Sequence, residues 1–213
     1  MQADLPAHPL LLRPGRELPG PGAWEGVFGR RAPLEVEVGF GRDDALLRRA
    51  KARPERDFLG LELKRDRVET YLSRAARLGI RNLRILPGRA EVVFGVMLPA
   101  ASVAAARILF PDPWPKDKHA WNRLLQPFFA RELRRTLEPG ADLLLATDDA
   151  AYAAQMRSVM DGDGGFEGGP ADERTVFDGT TIFERKGLAE GRKGNWFLYR
   201  RRASAAAGAL PVR

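Results

Sequence analysis

The sequence predicts an α/β chain built on a doubly wound, mostly parallel sheet. Two observations predict it. Short apolar runs alternate with segments of helical period through the middle of the chain. Toward the end the alternation breaks, with two strand-like segments and no long helix between them. That break predicts an antiparallel strand pair at the C-terminal end.

The elements follow in order. Leu34 to Val38 is a short apolar-rich strand stopped by Gly39-Phe40-Gly41. Asp44 to Lys51 reads as a helix with Asp43 or Asp44 as its cap. Phe58 to Leu63 is the second strand, and Arg67 to Leu78 is a helix stopped at Gly79. Leu83 to Leu86 is the third strand, Val92 to Leu98 a short helix, and Val103 to Phe110 the fourth strand. Trp121 to Leu137 reads as a helix ended by Pro139-Gly140. Asp142 to Thr147 is the fifth strand, followed by a helix from Ala150 to Met160. Thr180 to Phe183 and Asn195 to Arg200 form the late pair. Residues 1–22 lack a sustained period and read as a flexible arm, 23–201 as the folded domain, and 202–213 as a disordered tail.

With 213 residues, 44% of them hydrophobic and 30% charged, the chain has the composition of one globular domain with a substantial core. The absence of Cys excludes disulfides, thiolate zinc sites and a thiol nucleophile. Two His leave little for a metal site, and none is expected. No apolar run has the length of a membrane span, so a cytoplasmic protein away from membranes is expected. A net charge of +7 favours an acidic partner, with RNA or DNA the common one. An evenly spread arginine-rich composition is the alternative.

Five constellations carry chemistry. The first is Leu109-Phe110-Pro111-Asp112-Pro113-Trp114-Pro115-Lys116. Its three prolines force a stiff loop out of the fourth strand. At the ligand edge of an α/β sheet, a loop bearing Asp112, Trp114 and Lys116 reads as a site; a proline-rich surface turn is the plainer alternative. The second is Glu37-Val38-Gly39-Phe40-Gly41, a strand entering a glycine turn. Asp43 and Asp44 stand where a dinucleotide fingerprint has further glycines, and they would repel a pyrophosphate. A cationic cofactor such as S-adenosylmethionine suits that acid-lined loop better, although a simple turn with capping aspartates also fits. The third is Glu62, ending the second strand roughly 20 residues beyond the turn, where an acid holds ribose hydroxyls. The fourth is the continuation Lys116 to Arg123, whose cations and aromatics suit phosphate contact and base stacking. The fifth is Asp148, either an acceptor for guanine N–H groups or the cap of the following helix.

Taken in this order, Val36 to Gly41, Gly60-Leu61-Glu62, Phe110 to Lys116, Ala146-Thr147-Asp148 and Thr181-Ile182-Phe183-Glu184 resemble the bacterial tRNA (guanine-N7-)-methyltransferase family. The resemblance spans about Leu34 to Arg200, and the Phe-Pro-Asp-Pro-Trp-Pro-Lys run is highly specific to that family. It implies the sheet of the S-adenosylmethionine-dependent methyltransferase (Rossmann-like) type. It also implies S-adenosylmethionine as donor, and N7 of a guanine in the tRNA variable loop as acceptor. By position, Glu37, Gly39, Gly41, Glu62, Arg89 and Asp112 match its cofactor site. Lys116, Asp148, Thr181 and Glu184 match its tRNA contacts, and Asp112 is the candidate catalytic group. Three features depart from the family pattern: Arg89 where Asp or Asn is usual, Asp43 in place of the last glycine, and Ala120-Trp121 in the basic run. These departures leave room for a methyltransferase acting on another RNA or a small molecule, or for a non-catalytic RNA-binding relic. A monomer and a homodimer are both compatible with the sequence.

Overall fold

Alternation along Leu34–Val38 (β1) gives the sheet its centre: Leu34 and Val36 point to one face, Glu35 and Glu37 to the other. In the computed structural model, which describes residues 5, 7–12, 23–172 and 193–203, β1 lies in a seven-stranded sheet. The other strands are Asp57–Glu62 (β2), Leu83–Pro87 (β3), Val103–Leu109 (β4), Leu137–Thr147 (β5), Phe166–Pro170 (β6) and Asn195–Arg201 (β7). Their order is β3-β2-β1-β4-β5-β7-β6. Strands β1 to β5 are mutually parallel, whereas β7 runs antiparallel to both β5 and β6.

Helices cover both faces. Ala45–Ala52 (α2) and Arg65–Arg77 (α3) pack Leu46, Leu47, Val68, Tyr71 and Leu72 against Phe58, Leu83 and Ile85. On the other face Ala23–Phe28 (α1), Ala90–Val92 (α4), Pro127–Thr136 (α5) and Ala150–Asp161 (α6) enclose Val36, Leu59, Leu61, Ile108, Leu143 and Leu145. Helix α4 continues as a π-helical turn over Val93–Met97, whose Phe94 carbonyl accepts from the Arg135 guanidinium.

The structure departs from the sequence reading at several places. The helix expected over Trp121–Leu137 is helical only from Pro127. Proline holds its predecessor Gln126 extended (φ −116°, ψ 161°), and Asp117–Asn122 forms a separate 3₁₀ turn. Pro139-Gly140 does not end that helix. It sits inside β5, near a register shift against β4 between Val103 and Ala105. The antiparallel arrangement exists, with β7 between β5 and β6; Thr180–Phe183, the expected partner, lies outside the described residues. Leu10–Leu12, within the expected flexible arm, lie along β3. There Ile85 N donates to Leu10 O at 2.7 Å and Leu12 N to Ile85 O at 2.8 Å, which covers the sheet edge. Order also extends into the expected tail, where Arg202 N donates to Gly165 O at 2.9 Å and Nε to Phe166 O at 3.0 Å.

Gly60, in the middle of β2, permits this packing. A Cβ there would stand 2.8 Å from a Leu46 methyl and 2.9 Å from both Ile85 Cδ1 and the Phe40 ring. Gly60→Ala is therefore expected to destabilise the fold by about 1–3 kcal/mol, read as a lower midpoint in urea unfolding. An unchanged midpoint would show that α2 yields freely.

Candidate active site at the carboxyl edge of the sheet

Because β1 to β5 run the same way, the loops that follow them open on one edge. After β1, Gly39 and Gly41 take φ of 72° and 62°, a left-handed turn that favours glycine. Gly39 N donates to Leu61 O at 2.8 Å, and a Cβ on Gly39 would meet no atom within 4 Å. The turn is thus fixed from behind and open beside Gly39. Asp43 accepts from Ala45 N at 2.8 Å and starts α2, while Asp44 pairs with Arg74 at 2.7 Å. Both aspartates that separate this loop from a dinucleotide fingerprint have structural partners.

Glu62 closes the turn onto the second strand. Its Oε2 accepts from Gly41 N at 3.1 Å and Arg67 Nη1 at 3.2 Å. Its Oε1 accepts from Leu63 N at 2.7 Å and Lys64 N at 3.0 Å. Four donors fill the roughly four acceptor positions of a carboxylate. Arg67 is the one donor on a flexible side chain.

Glu37 is buried in β1, and its Oε2 has no hydrogen-bond partner. Burial pushes its pKa up from 4.5 to about 7, against the opposing pull of the Arg107 and Arg49 guanidiniums. A buried, under-satisfied carboxylate beside an open glycine turn fits a cationic ligand. Arg89 follows β3 at the rim. Its side chain is 69% exposed and pairs with Glu91 at 3.2 Å.

The loop after β4 faces the end of β5. Phe110 N donates to Ala146 O at 2.8 Å, and the Phe110 ring meets Trp196 edge-on at 5.7 Å. Phe110 and Trp114 take φ of 50° and 44°, a left-handed conformation costing non-glycine residues roughly 1–2 kcal/mol each. Asp112 and Lys116 are exposed. Trp114 is 40% exposed and stacks on His119 at 5.9 Å, while Trp121 is 76% exposed. Two lysines and stacked aromatics on one loop can meet phosphates and bases. Across from them Asp149, not Asp148, caps α6 by accepting from Tyr152 N at 2.7 Å, which leaves half-buried Asp148 outside the capping bond.

The structure therefore places Glu37, Gly39, Gly41, Glu62, Arg89, Asp112, Lys116 and Asp148 on or next to one sheet edge. Among these, Gly41 and Glu62 are in direct contact. Thr181 and Glu184 lie outside the described residues. Sequence reading gave Arg67 no role and counted Arg123 among the cations suited to phosphate, whereas Arg123 is buried and bonds Pro113 O and Gln155. Arg67 looks like one more helix cation, and Arg123 like the last cation of a basic run; only burial sets them apart. Among the described residues no group of three His, Asp or Glu could hold a metal, and no helix is long and apolar enough to cross a membrane.

The strand order is that of a methyltransferase fold. Solved structures share it. A 16S rRNA methyltransferase matches 84% of this chain and 92% of its own at a TM-score of 0.59 and 17% identity. An aminoglycoside resistance methyltransferase matches the same shares at 0.58 and 15%. Residues 31–194 match the family described as "Putative methyltransferase". The tRNA (guanine-N(7)-)-methyltransferase of Nitrosococcus oceani is 38% identical over 84% of this chain and 75% of its own length. The protein of that name from a Nocardioides species is 42% identical over 84% and 72%. The chain belongs to the tRNA (guanine-N7-)-methyltransferase family.

Glu37 makes stability depend on pH. Its pKa is higher folded than unfolded, so its protonated form favours the fold at low pH. That advantage disappears as pH rises from 4.5 to about 7. A rise of this size corresponds to about 3 kcal/mol. Ligand-free Glu37→Gln is expected to gain stability over the parent protein by up to that amount as pH goes from 5 to 8, measured in parallel urea titrations. A constant difference between the two proteins would show that Glu37 titrates normally.

Proposed function

We propose that this protein transfers the methyl group of S-adenosylmethionine to N7 of a guanine in the tRNA variable loop, forming 7-methylguanosine. The observation that carries the reading is the Phe110–Lys116 loop, presenting exposed Asp112, Trp114 and Lys116 beside the Asp148 end of β5 in a chain of this family. The names of the relatives and the match to a solved 16S rRNA methyltransferase bound to S-adenosylmethionine (17% identity, TM-score 0.57) support it. The catalytic unit is residues 23–201, and its place of work is the cytoplasm.

S-adenosylmethionine supplies an electrophilic methyl group on a sulfonium. Glu37 offers a buried carboxylate to the cationic end of the cofactor, and Gly39 and Gly41 let the backbone approach it. Glu62 would hold the ribose hydroxyls, which would take the place of Arg67 on Oε2. Arg89, turned to Glu91, keeps its charge partly offset at the adenine side.

Guanine N7 carries an in-plane lone pair that is unprotonated at neutral pH, so no general base has to activate it. Catalysis then rests on alignment of N7 with the methyl and sulfur. Positive charge moves onto the base during transfer, and the Asp112 carboxylate stabilises it there. Asp148 accepts from the N–H groups of the guanine edge, Thr181 and Glu184 complete the base contacts, and Lys116 binds phosphate.

The deciding assay incubates the protein with labelled S-adenosylmethionine and unmodified tRNA, then identifies the methylated nucleoside by mass spectrometry. Methyl at N7 of guanine is expected; label at another position, or none, would overturn the reading. Asp112→Ala should lower kcat roughly 10–100-fold while the protein still binds cofactor, and near-normal turnover would remove Asp112 from catalysis. Lys116→Ala should reduce the slope of log tRNA affinity against log salt by about one unit. An unchanged slope would place Lys116 away from phosphate.

A further inference from the structure

Pro111, Pro113 and Pro115 have no backbone N–H, so the loop that carries Asp112 cannot pin itself with a regular ladder of backbone hydrogen bonds. Its carbonyls need donors from outside. Arg123 supplies them. Its Nε donates to Pro113 O at 2.7 Å and Nη2 reaches Trp114 O at 3.4 Å. Nη1 donates to Gln155 Oε1 at 2.8 Å, and the guanidinium lies 5.3 Å over the Tyr152 ring.

In the same stretch Lys116 and Lys118 are exposed, while Arg123 is 6% exposed. Its hydrogen-bond partners are two carbonyls and an amide, not carboxylates. A buried cation with neutral partners is costly to keep for stability alone. Its contacts instead join three pieces of the site. Gln155 and Tyr152 belong to α6, which starts one residue after the Asp149 cap and two after Asp148. Gln155 Nε2 donates to Leu125 O at 3.1 Å, and the Tyr152 hydroxyl accepts from Leu125 N at 3.0 Å. Asp112 is bonded directly to Pro113, whose carbonyl Arg123 holds.

We propose that Arg123 is the positioning residue of the active site, fixing the Pro111–Pro115 loop against α6 so that Asp112 and Asp148 face one guanine. This rests on the methyltransferase reading above. Fork geometry is what the role requires: one planar group donates to adjacent carbonyls on one side and to Gln155 on the other, which an ammonium cannot reproduce.

Arg123→Lys tests it in the full-length protein. Expected are an unchanged S-adenosylmethionine Kd by calorimetry, a kcat on unmodified tRNA lowered roughly 10–100-fold, and a KM changed far less. Hydrogen exchange at the amides of Asp112, Trp114 and Lys116 should also accelerate, while β1 and β2 stay protected. Normal kcat with normal loop exchange would overturn the proposal. So would a loss of turnover explained by fewer cofactor-binding molecules, since that is destabilisation alone. If Arg123→Lys does not fold, Gln155→Met carries the test: of the Arg123 donors it frees Nη1 alone, and it also removes the Gln155 bond to Leu125 O. A smaller fall in kcat at equal cofactor affinity, with faster exchange at Asp112, Trp114 and Lys116, is expected, and no fall refutes the proposal. The exchange measurement needs no substrate. Faster loop exchange in Arg123→Lys alongside a parent protein inactive on tRNA would remove the functional reading and leave the loop clamp standing.

Discussion

Two carboxylates on the central strand set the terms for the rest of the molecule. Glu35 and Glu37 point from β1 to the same buried face, where charge must be neutralised or protonated. Glu35 is neutralised by protein: Arg49 from α2 bonds it directly, and Arg56 adds a second contact at 2.9 Å. That buried pair ties α2 to the central strand. Glu37, two residues nearer the ligand edge, keeps an oxygen without a donor. The same strand thus anchors the fold at one end and stays electrostatically incomplete at the other, where the cofactor reading needs an acid.

Such an arrangement explains why the fold was largely legible in the sequence. Leu-Glu-Val-Glu-Val followed by Gly-Phe-Gly combines strand alternation, two acids and a turn that favours glycine, and each signal is local. The start of α2 and the acid ending β2 are equally local. Strand β6 was not legible, because Phe-Glu-Gly-Gly-Pro has little strand propensity and is held by pairing with β7. The helix before β5 was read too long because aromatic and apolar residues around Trp121 keep a helical rhythm that Pro127 interrupts. In the site, Asp148 and Asp149 could exchange roles on paper; only the bond to Tyr152 N assigns the cap. Arg123 was grouped with the phosphate-binding cations for a related reason: its importance lies in where its guanidinium ends, and spacing does not encode that.

The site is assembled from parts of different stiffness. The glycine turn and Glu62 are tied by backbone donors to neighbouring strands and follow the sheet. The proline-rich loop carries two non-glycine residues in left-handed conformations and depends on side chains from elsewhere. Family resemblance identified that loop from its residues, while the physical reason it holds its shape lies outside it, in Arg123, Tyr152 and Trp196.

The position of β7 has a consequence for how this protein is made. The strand order places Asn195–Arg201 between β5 and β6, both of which precede it in the chain. During synthesis the first five strands can pair as they leave the ribosome. Among the described strands, none then pairs with the outer side of β5, and β6 has no neighbour until β7 emerges. Closure of the sheet is therefore a late event, and a nascent chain stalled before Asn195 exposes an open edge where another chain can add.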